Sequence, residues 1–403
     1  MRRIYFDNNA TTPMLPEVRA AIEPYFAEHF GNASSIHHHG QETRFAVEKA
    51  RDSVAKLFGC RSSEIVFTSG GTEGDNLGIF GIVQPGDHVI TSAIEHHAVL
   101  FPCQRLQEIG VAVSYIPVNG QGLVDPEDVK RALCPNTKLI SVMMANNETG
   151  VLQPVEEIGR IAAEADVYFH TDAVQAAGKV PIDVDQIGCD LLSISGHKMH
   201  APQGVGATYV KKGTPLQPML YGGRHERQRR AGTENVAGIV GLGKASEIAL
   251  NALELGDNLK MAAMRDRLEA ALLSAAEASG VNGAATQRVP NTTNIYFDSI
   301  EGEALVIALD LKGLAVSTGA ACSSGATEPS HVLTTMGLSP DRARASIRFS
   351  LGKQTTEEEI DFAIRVVPET VARLRVLSPL WKKNGAQLSA VSSQSKSEAL
   401  SRK

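Results

Sequence analysis

A lysine condenses with an aldehyde only where its amine can shed a proton and is aimed in one direction, so its setting decides what it can do. In DLLSISGHKMHAP (190–202) an apolar, strand-like run ends in Ser195, Gly196, His197 and Lys198. Alone, this tetrad reads equally well as a surface lysine just past a buried strand. Upstream, VYFHTDAVQ (167–175) is a second apolar run, closing on Asp172 with Gln175 three residues later. Pyridoxal phosphate (PLP) needs a lysine for its aldehyde, a carboxylate for its pyridinium nitrogen and a cradle for its phosphate. The third element follows the strand-like EIVFT (64–68), where TSGGTEGDN (68–76) runs into a helical segment. Gly70 and Gly71 let backbone amides approach an anion, Thr72 adds a hydroxyl, and a helix N-terminus adds partial positive charge. By itself such a turn is also an ordinary helix cap.

Other residues fit around this trio. His96, in SAIEHHAVL (92–100), follows a strand end, where an imidazole can stack on a flat ring and relay protons near neutral pH. Its neighbour His97 reads as merely solvated. Asn147, in MMANNETGVLQP (143–154), offers an amide to a phenolic oxygen or a substrate carboxylate, although Asn-Asn before Glu-Thr-Gly is also a plain turn. Arg348, central in ASIRFSLG (345–352), suits bidentate capture of a carboxylate, with a structural ion pair as the competing role. Cys322 sits among small residues in STGAACSSGATEPSH (317–331), a composition expected to be exposed and mobile and suited to a travelling nucleophile. Cys60, Cys103, Cys134 and Cys189 lie in or beside apolar segments and read as buried, inert thiols.

These residues need a scaffold that brings distant segments to one edge. Between about residues 44 and 212, strand-like and helix-like segments alternate. EIVFT, HVITS (88–92), VAVSYIPV (111–118), KLISVMMA (138–145), VYFHTD (167–172), DLLSIS (190–195) and GATYV (206–210) are short, mostly apolar strands. Such runs, separated by helices, predict an α/β fold with a mainly parallel seven-stranded sheet covered on both faces. Right-handed crossovers then collect Thr68, Asp172 and Ser195 at the ligand-binding edge. A long helical stretch, roughly 236–280, leads into strands at 291–298, 313–318 and 345–352 with helices near 301–312 and 356–375, a smaller α+β C-terminal domain. The expected division is 13–260 for the large domain and 1–12 plus 261–380 for the small one, with a disordered Ser- and Lys-rich tail over 382–403.

Bulk properties narrow the class. With 403 residues, 43% hydrophobic and 21% charged, the chain is that of a globular protein of two domains. A formal net charge of −6 gives no footprint for nucleic acid, the basic run GRHERQRR (223–230) being the one local exception. No run approaches the roughly 18 apolar residues of a membrane span, so no membrane partner is expected. Five scattered cysteines with no CxxC pair fit a reducing cytoplasm and argue against a disulfide framework.

From YFDNNATTP (5–13) through EIVFTSGGTE, EHHAVL, ANNETG, FHTDAVQAAGKVPID, SGHKMHAPQGVG, RRAGTEN and STGAACSSG to RFSLG, the chain resembles the cysteine desulfurases, PLP-dependent fold type I enzymes of the class V aminotransferase lineage. GRHERQRRAGTEN, EPSH and LSPLW lean toward the nitrogen-fixation (NifS-type) branch rather than the housekeeping iron–sulfur (IscS-type) branch. The resemblance implies conversion of L-cysteine to L-alanine, with sulfur passing as a persulfide to Cys322 and on to an iron–sulfur scaffold or other acceptor protein. Lys198 would hold PLP as a Schiff base and move protons, Asp172 would pair the pyridinium nitrogen, and His96 would stack on the ring. Gln175 and Asn147 would bond the phenolic oxygen; Gly71, Thr72, Ser195, Gly196 and His197 would surround the phosphate. Arg348 with Asn147 would bind the substrate carboxylate. In a homodimer, Thr233 would reach the partner subunit's phosphate. A transient role for the Cys322 sulfur as an iron–sulfur ligand is a further expectation. A selenocysteine lyase or another class V PLP aminotransferase is the alternative.

Overall fold

The computed structural model describes residues 3–319 and 328–381; Cys322 and the tail from residue 382 lie outside the described residues. The chain opens with a two-residue strand, β1 (Ile4–Tyr5). The central sheet follows with β2 (Ile65–Thr68), β3 (His88–Ser92), β4 (Ala112–Ile116), β5 (Thr137–Ser141), β6 (Tyr168–Asp172), β7 (Leu191–Ser195) and β8 (Gly206–Val210). Their spatial order is β2-β8-β7-β6-β5-β3-β4. β8 runs antiparallel to both its neighbours and every other pairing is parallel, so the six remaining strands share one direction. The seven strands and mainly parallel sheet thus match the sequence expectation. All residues of β2, β3, β7 and β8 are buried, which is why they read as unbroken apolar runs. Two apolar layers sandwich the sheet. One contains Phe67, Ile140, Phe169 and Leu192 with the helices His38–Phe58 and Val236–Glu254; the other contains Val66, Leu77, Val89 and Leu191.

Two helix expectations change in detail. The helix expected from residue 44 begins at His38, where the His37 side chain caps it by accepting from the Gly40 amide. Its first turn is polar and shows no apolar period. The stretch expected over 236–280 is two helices, Val236–Glu254 and Asp257–Ala275, broken at Gly256 with φ of +72°. A glycine tolerates that left-handed conformation without steric cost. Val236–Glu254 is also long and apolar enough, by length and composition, to cross a membrane. Here it packs as a core helix on Pro16–Ile22 and His38–Phe58, with Gly243 against Ala50.

Beyond these helices lie β9 (Ser279–Val281), β10 (Thr292–Phe297), β11 (Leu314–Ala315), β12 (Ser317–Thr318) and β13 (Ser346–Ser350). Four of them form an antiparallel sheet in the order β12-β13-β10-β9. β1 pairs in parallel with β11, and Ile4 and Phe6 enter the same core as Leu268, Phe297, Ile347 and Phe349. The first residues of the chain therefore pack with its last third. That return path carries residues 7–12 across the C-terminal edge of the central sheet, where Thr12 donates from its amide to the His197 carbonyl at 2.9 Å.

The turn after β2 is held by close backbone approach. A Cβ on Gly206 of β8 would stand 2.6 Å from the Ile194 carbonyl oxygen and 2.7 Å from the Gly70 Cα. The substitution Gly206→Ala is expected to destabilise the fold by about 2 kcal/mol through this overpacking, read as a lower urea midpoint with an unchanged slope.

Candidate active site

Parallel strands deliver their last residues to one edge, and that edge carries a cleft of about 840 Å³, including the open space at its mouth. β6 ends in Asp172, and the chain turns to bring Gln175 back over the edge. β7 ends in Ser195 and tightens into a single 3-10 turn, Gly196–Lys198, which aims Lys198 into the cleft. Gly71, Thr72, His96, Asn147, His197 and Arg348 line the same space. Gly196 is buried directly beneath, its amide donating to the Val205 carbonyl at 2.9 Å.

The Lys198 amine is held by main-chain oxygens. Nζ donates to the carbonyls of Asn9 at 2.5 Å and Ala10 at 2.7 Å. Asn9 is itself fully tied: its amide donates to Ser350 Oγ at 2.9 Å, and Nδ2 donates to Asn147 O at 3.1 Å and Thr292 Oγ1 at 2.9 Å. Its side-chain oxygen accepts from Asn291 Nδ2 at 3.1 Å, and its carbonyl accepts a second bond from Gln175 Nε2 at 3.0 Å. Asn9 and Ala10 carry no role in the sequence reading. Their signal was the polar run DNNATT itself, in which Asn8, Asn9 and Thr12 are buried.

The acids and imidazoles here depart strongly from ordinary behaviour, and burial is the first cause each time. Asp172 is pushed up to about 8, first by burial and then by the nearby charge of Asp75. Its Oδ1 accepts from the Val174 amide at 2.8 Å. Asp75, also on the cleft wall, is raised to about 7 by burial, and its Oδ1 lies 3.5 Å from His170 Nε2. His96 falls to about 4 through burial and then the Lys198 cation; His197 does so for the same two reasons. Both rings are therefore neutral near pH 7. The His96 Nδ1 accepts from the Ala98 amide at 3.1 Å and caps the helix His97–Glu108, which leaves Nε2 to carry the ring proton.

The ten-residue helix Gly71–Phe80 brings its N-terminus to the cleft, where Gly71 and Thr72 line it. A Cβ on Gly71 would sit 2.6 Å from Val174 Cγ2, so the close approach of this turn needs glycine. Arg230 fastens the same turn by pairing with Glu73 at 2.8 Å, and Glu73 accepts from the Ser69 amide at 2.8 Å. Arg348 is 1% exposed. It donates to the Asn147 carbonyl at 2.9 Å and to Asp7 Oδ1 at 2.7 Å, while its Nε has no partner among the described residues. The ion-pair role that competed at the sequence level is thus present, with one donor to spare.

Thr233, expected to serve the partner subunit's phosphate, is exposed and stands outside the cleft lining of its own chain. Other expectations land elsewhere. His97 is half-buried rather than solvated, stacked on Phe101 at 4.7 Å and beside His331 at 5.0 Å. Cys103 and Cys189 are buried as expected, but Cys134 is exposed, its sulfur 3.1 Å from His88 Nδ1. It follows the short helix Pro126–Ala132, in which Val129 is the buried residue. The basic run is partly spent inside the fold, where Glu226 pairs with the buried Arg51 at 2.7 Å and Arg230 with Glu73. No group of three or more His, Cys, Asp or Glu side chains is placed to hold a metal ion among the described residues, and Cys322 is not one of them.

A model of the aminotransferase class-V family matches residues 4–362. A cysteine desulfurase IscS of Dictyoglomus turgidum is 48% identical over 391 residues, 95% of this chain and 99% of that protein. The cysteine desulfurase NifS of Azotobacter vinelandii is likewise 48% identical, over 389 residues and 96% of each chain. Among solved structures, a NifS-like protein superposes with a TM-score of 0.86 at 38% identity, covering 92% of this chain and 100% of that one. The chain belongs to the class V aminotransferases, in their cysteine desulfurase group. Its architecture is that of PLP-dependent transferases of fold type I.

The cleft of this class V chain fits the family's cofactor on chemical grounds. Asp172 is an acid held protonated chiefly by burial, and a pyridinium N–H beside it would favour its ionised form. A helix N-terminus with Thr72, Ser195 and His197 nearby suits a phosphate. Without the cofactor, the buried Asp172 carboxyl keeps its proton up to about pH 8, while an unfolded aspartate loses it near about 4. The stability this group contributes is thus present at low pH and is lost as pH rises across that window. Asparagine does not titrate. Cofactor-free Asp172→Asn is expected to exceed the wild type in urea stability at about pH 8.5, with the gap shrinking toward about pH 4; a gap that widens on acidification contradicts the assignment.

Proposed function

We propose that this protein binds PLP through Lys198 and converts L-cysteine to L-alanine, leaving the sulfur as a persulfide on Cys322. The observation that carries the reading is the convergence of Lys198 and Asp172 on one cleft, in a chain of the cysteine desulfurase group. Bound PLP supplies an electron sink for the substrate's α-carbon. The residues do the rest. The Asn9 and Ala10 carbonyls aim the Lys198 amine, which takes the α-proton once it is no longer bonded to the cofactor. Asp172 holds the pyridinium nitrogen in its protonated form. The neutral ring of His96 lies against the cofactor ring, and Gln175 and Asn147 hold the phenolic oxygen. Gly71, Thr72, Ser195, Gly196 and His197 surround the phosphate.

Arg348 and Asn147, which both line the cleft, hold the substrate carboxylate. The Cys322 thiolate attacks the substrate sulfur. An S–S bond forms as the Cβ–S bond breaks, the electron pair stays with carbon, and protonation at Cβ together with return of a proton from Lys198 to Cα completes alanine. The persulfide passes to an iron–sulfur scaffold or other acceptor for cluster assembly. Relatives carrying the IscS and NifS names match equally well, and the lean to nitrogen fixation rests on GRHERQRRAGTEN, EPSH and LSPLW. The same reading makes the enzyme a cytoplasmic homodimer in which Thr233 serves the partner subunit's phosphate. It also assigns 13–260 to the cofactor domain, and 1–12 with 261–380 to the domain bearing Cys322.

The test separates the two side chains that define the chemistry. The Cys322→Ser variant is expected to keep the visible band of the bound cofactor and to lose sulfur release by about a thousandfold or more. The Lys198→Ala variant is expected to lose the lysine-dependent band altogether. Normal alanine and sulfide formation by Cys322→Ser would sink the desulfurase reading, and retained selenocysteine turnover in that variant would favour a lyase.

A further inference from the structure

A second lysine approaches the cleft from behind. Lys179 lies four residues after Gln175, in a stretch where the Ala177 and Val180 amides donate to the Ala173 and Ala176 carbonyls at 2.9 and 3.1 Å. Residues four apart in a helical turn share a face, so the two side chains meet. Lys179 Nζ donates to Gln175 Oε1 at 2.8 Å. Gln175 lines the cleft and Lys179 does not. Lys179 borders a separate cavity of about 690 Å³, counted with its open mouth, between Lys198 and the helix Val236–Glu254. The amine is therefore placed to act on the cleft through the amide.

An amide side chain has an accepting end and a donating end, and its neighbours decide which faces where. Two neighbours decide here, and they agree. When protonated, the Lys179 amine can only donate, so it then requires the oxygen of Gln175. The Asn9 carbonyl can only accept, so it requires the NH2 group, which donates to it at 3.0 Å. The reversed amide would set oxygen against oxygen at Asn9 and hydrogen against hydrogen at Lys179. Gln175 lines the cleft, and in this orientation its NH2 group keeps a second N–H beyond the one given to Asn9. That same Asn9 oxygen accepts from Lys198 Nζ, so a continuous chain runs Lys179–Gln175–Asn9–Lys198. The charged groups felt by Lys179 are Lys198 and Arg348, and it is in turn felt by His200. Burial first, then these two cations, lowers its amine to about 7.

We propose that Lys179 is a positioning residue that locks the amide of Gln175 with its NH2 toward the cleft, so that it donates to the phenolic oxygen of the cofactor. The inference rests on the PLP reading given above and goes beyond it in naming a residue that never touches the cofactor. The side chain works through Gln175, and its removal loosens the amide, which then keeps the Asn9 carbonyl as its remaining anchor. Methionine at this position keeps much of the length and apolar stem without the donor; arginine keeps a donor.

The experiment titrates PLP into cofactor-free wild type, Lys179→Met, Lys179→Arg, Gln175→Ala and the Met/Ala double variant. It records PLP affinity and the pH at which the visible band of the bound cofactor titrates. One lost hydrogen bond predicts roughly fivefold weaker PLP binding in Lys179→Met, together with a displaced band titration. Lys179→Arg should recover most of both. In Gln175→Ala, adding Lys179→Met should change neither quantity further, because the two act as one unit. Losses that add in the double variant overturn the proposal, as does an unmoved band titration in Lys179→Met. If Lys179→Met does not fold, the Arg variant decides: loss equal to that of Gln175→Ala overturns the proposal, and near-wild-type behaviour supports it. Absence of any lysine-dependent band in the wild type would instead strike the PLP reading itself.

Discussion

One main-chain oxygen organises the cleft. The Asn9 carbonyl accepts from both Lys198 and Gln175, which come from the ends of two neighbouring strands of the central sheet. A carbonyl oxygen has two lone pairs and can serve two donors, and it fixes their direction when its own peptide is held in place. Every other polar group of Asn9 is used for that purpose, with partners on Ser350, Asn147, Thr292 and Asn291. Three of those four partners belong to the C-terminal part of the chain. The packing of Ile4 and Phe6 into that same part is what brings Asn9 to the edge of the sheet. The aim of Lys198 thus depends on a contact between the first ten residues and the last hundred or so.

Electrostatics then gives the cleft a use. Several acids are buried around it with little positive charge to meet them: Asp172 and Asp75 on its wall, and Glu95 nearby, raised to about 8 by burial. Buried imidazoles are pushed the other way and stay neutral. The free chain therefore stores protons on carboxyl groups that would ionise beside a cation. The N-terminus of the helix Gly71–Phe80, in the same cleft, presents amide hydrogens and partial positive charge. A flat molecule with a cationic ring nitrogen and a phosphate matches both features.

Much of this was legible in the sequence, and for identifiable reasons. β2, β3, β6, β7 and β8 are short apolar runs because both faces of the sheet are covered, so their ends, and with them Thr68, Asp172 and Ser195, could be placed on one edge. Lys198, Gln175 and the Gly71 turn follow those ends directly. What could not be read were features carried by contacts between distant, polar segments. Asn9 gives no periodic signal, and its importance lies in partners some 140 to 340 residues away along the chain. Lys179 looked like one more charged residue in AAGKVPID until the fold turned it onto Gln175. Cys134 was misjudged because neighbouring apolar residues do not fix which way a side chain leaves a helix end.

The class V relationship makes a Schiff-base lysine the expectation, and the geometry distinguishes between two candidates that both border the space around Asn9. Lys198 enters the cleft, whereas Lys179 stays behind Gln175. Borohydride reduction of the PLP-loaded protein, followed by peptide mapping of the pyridoxyl label, separates them. The account predicts the label on Lys198 alone. A label on Lys179, or on any other lysine with Lys198 unmodified, would contradict it.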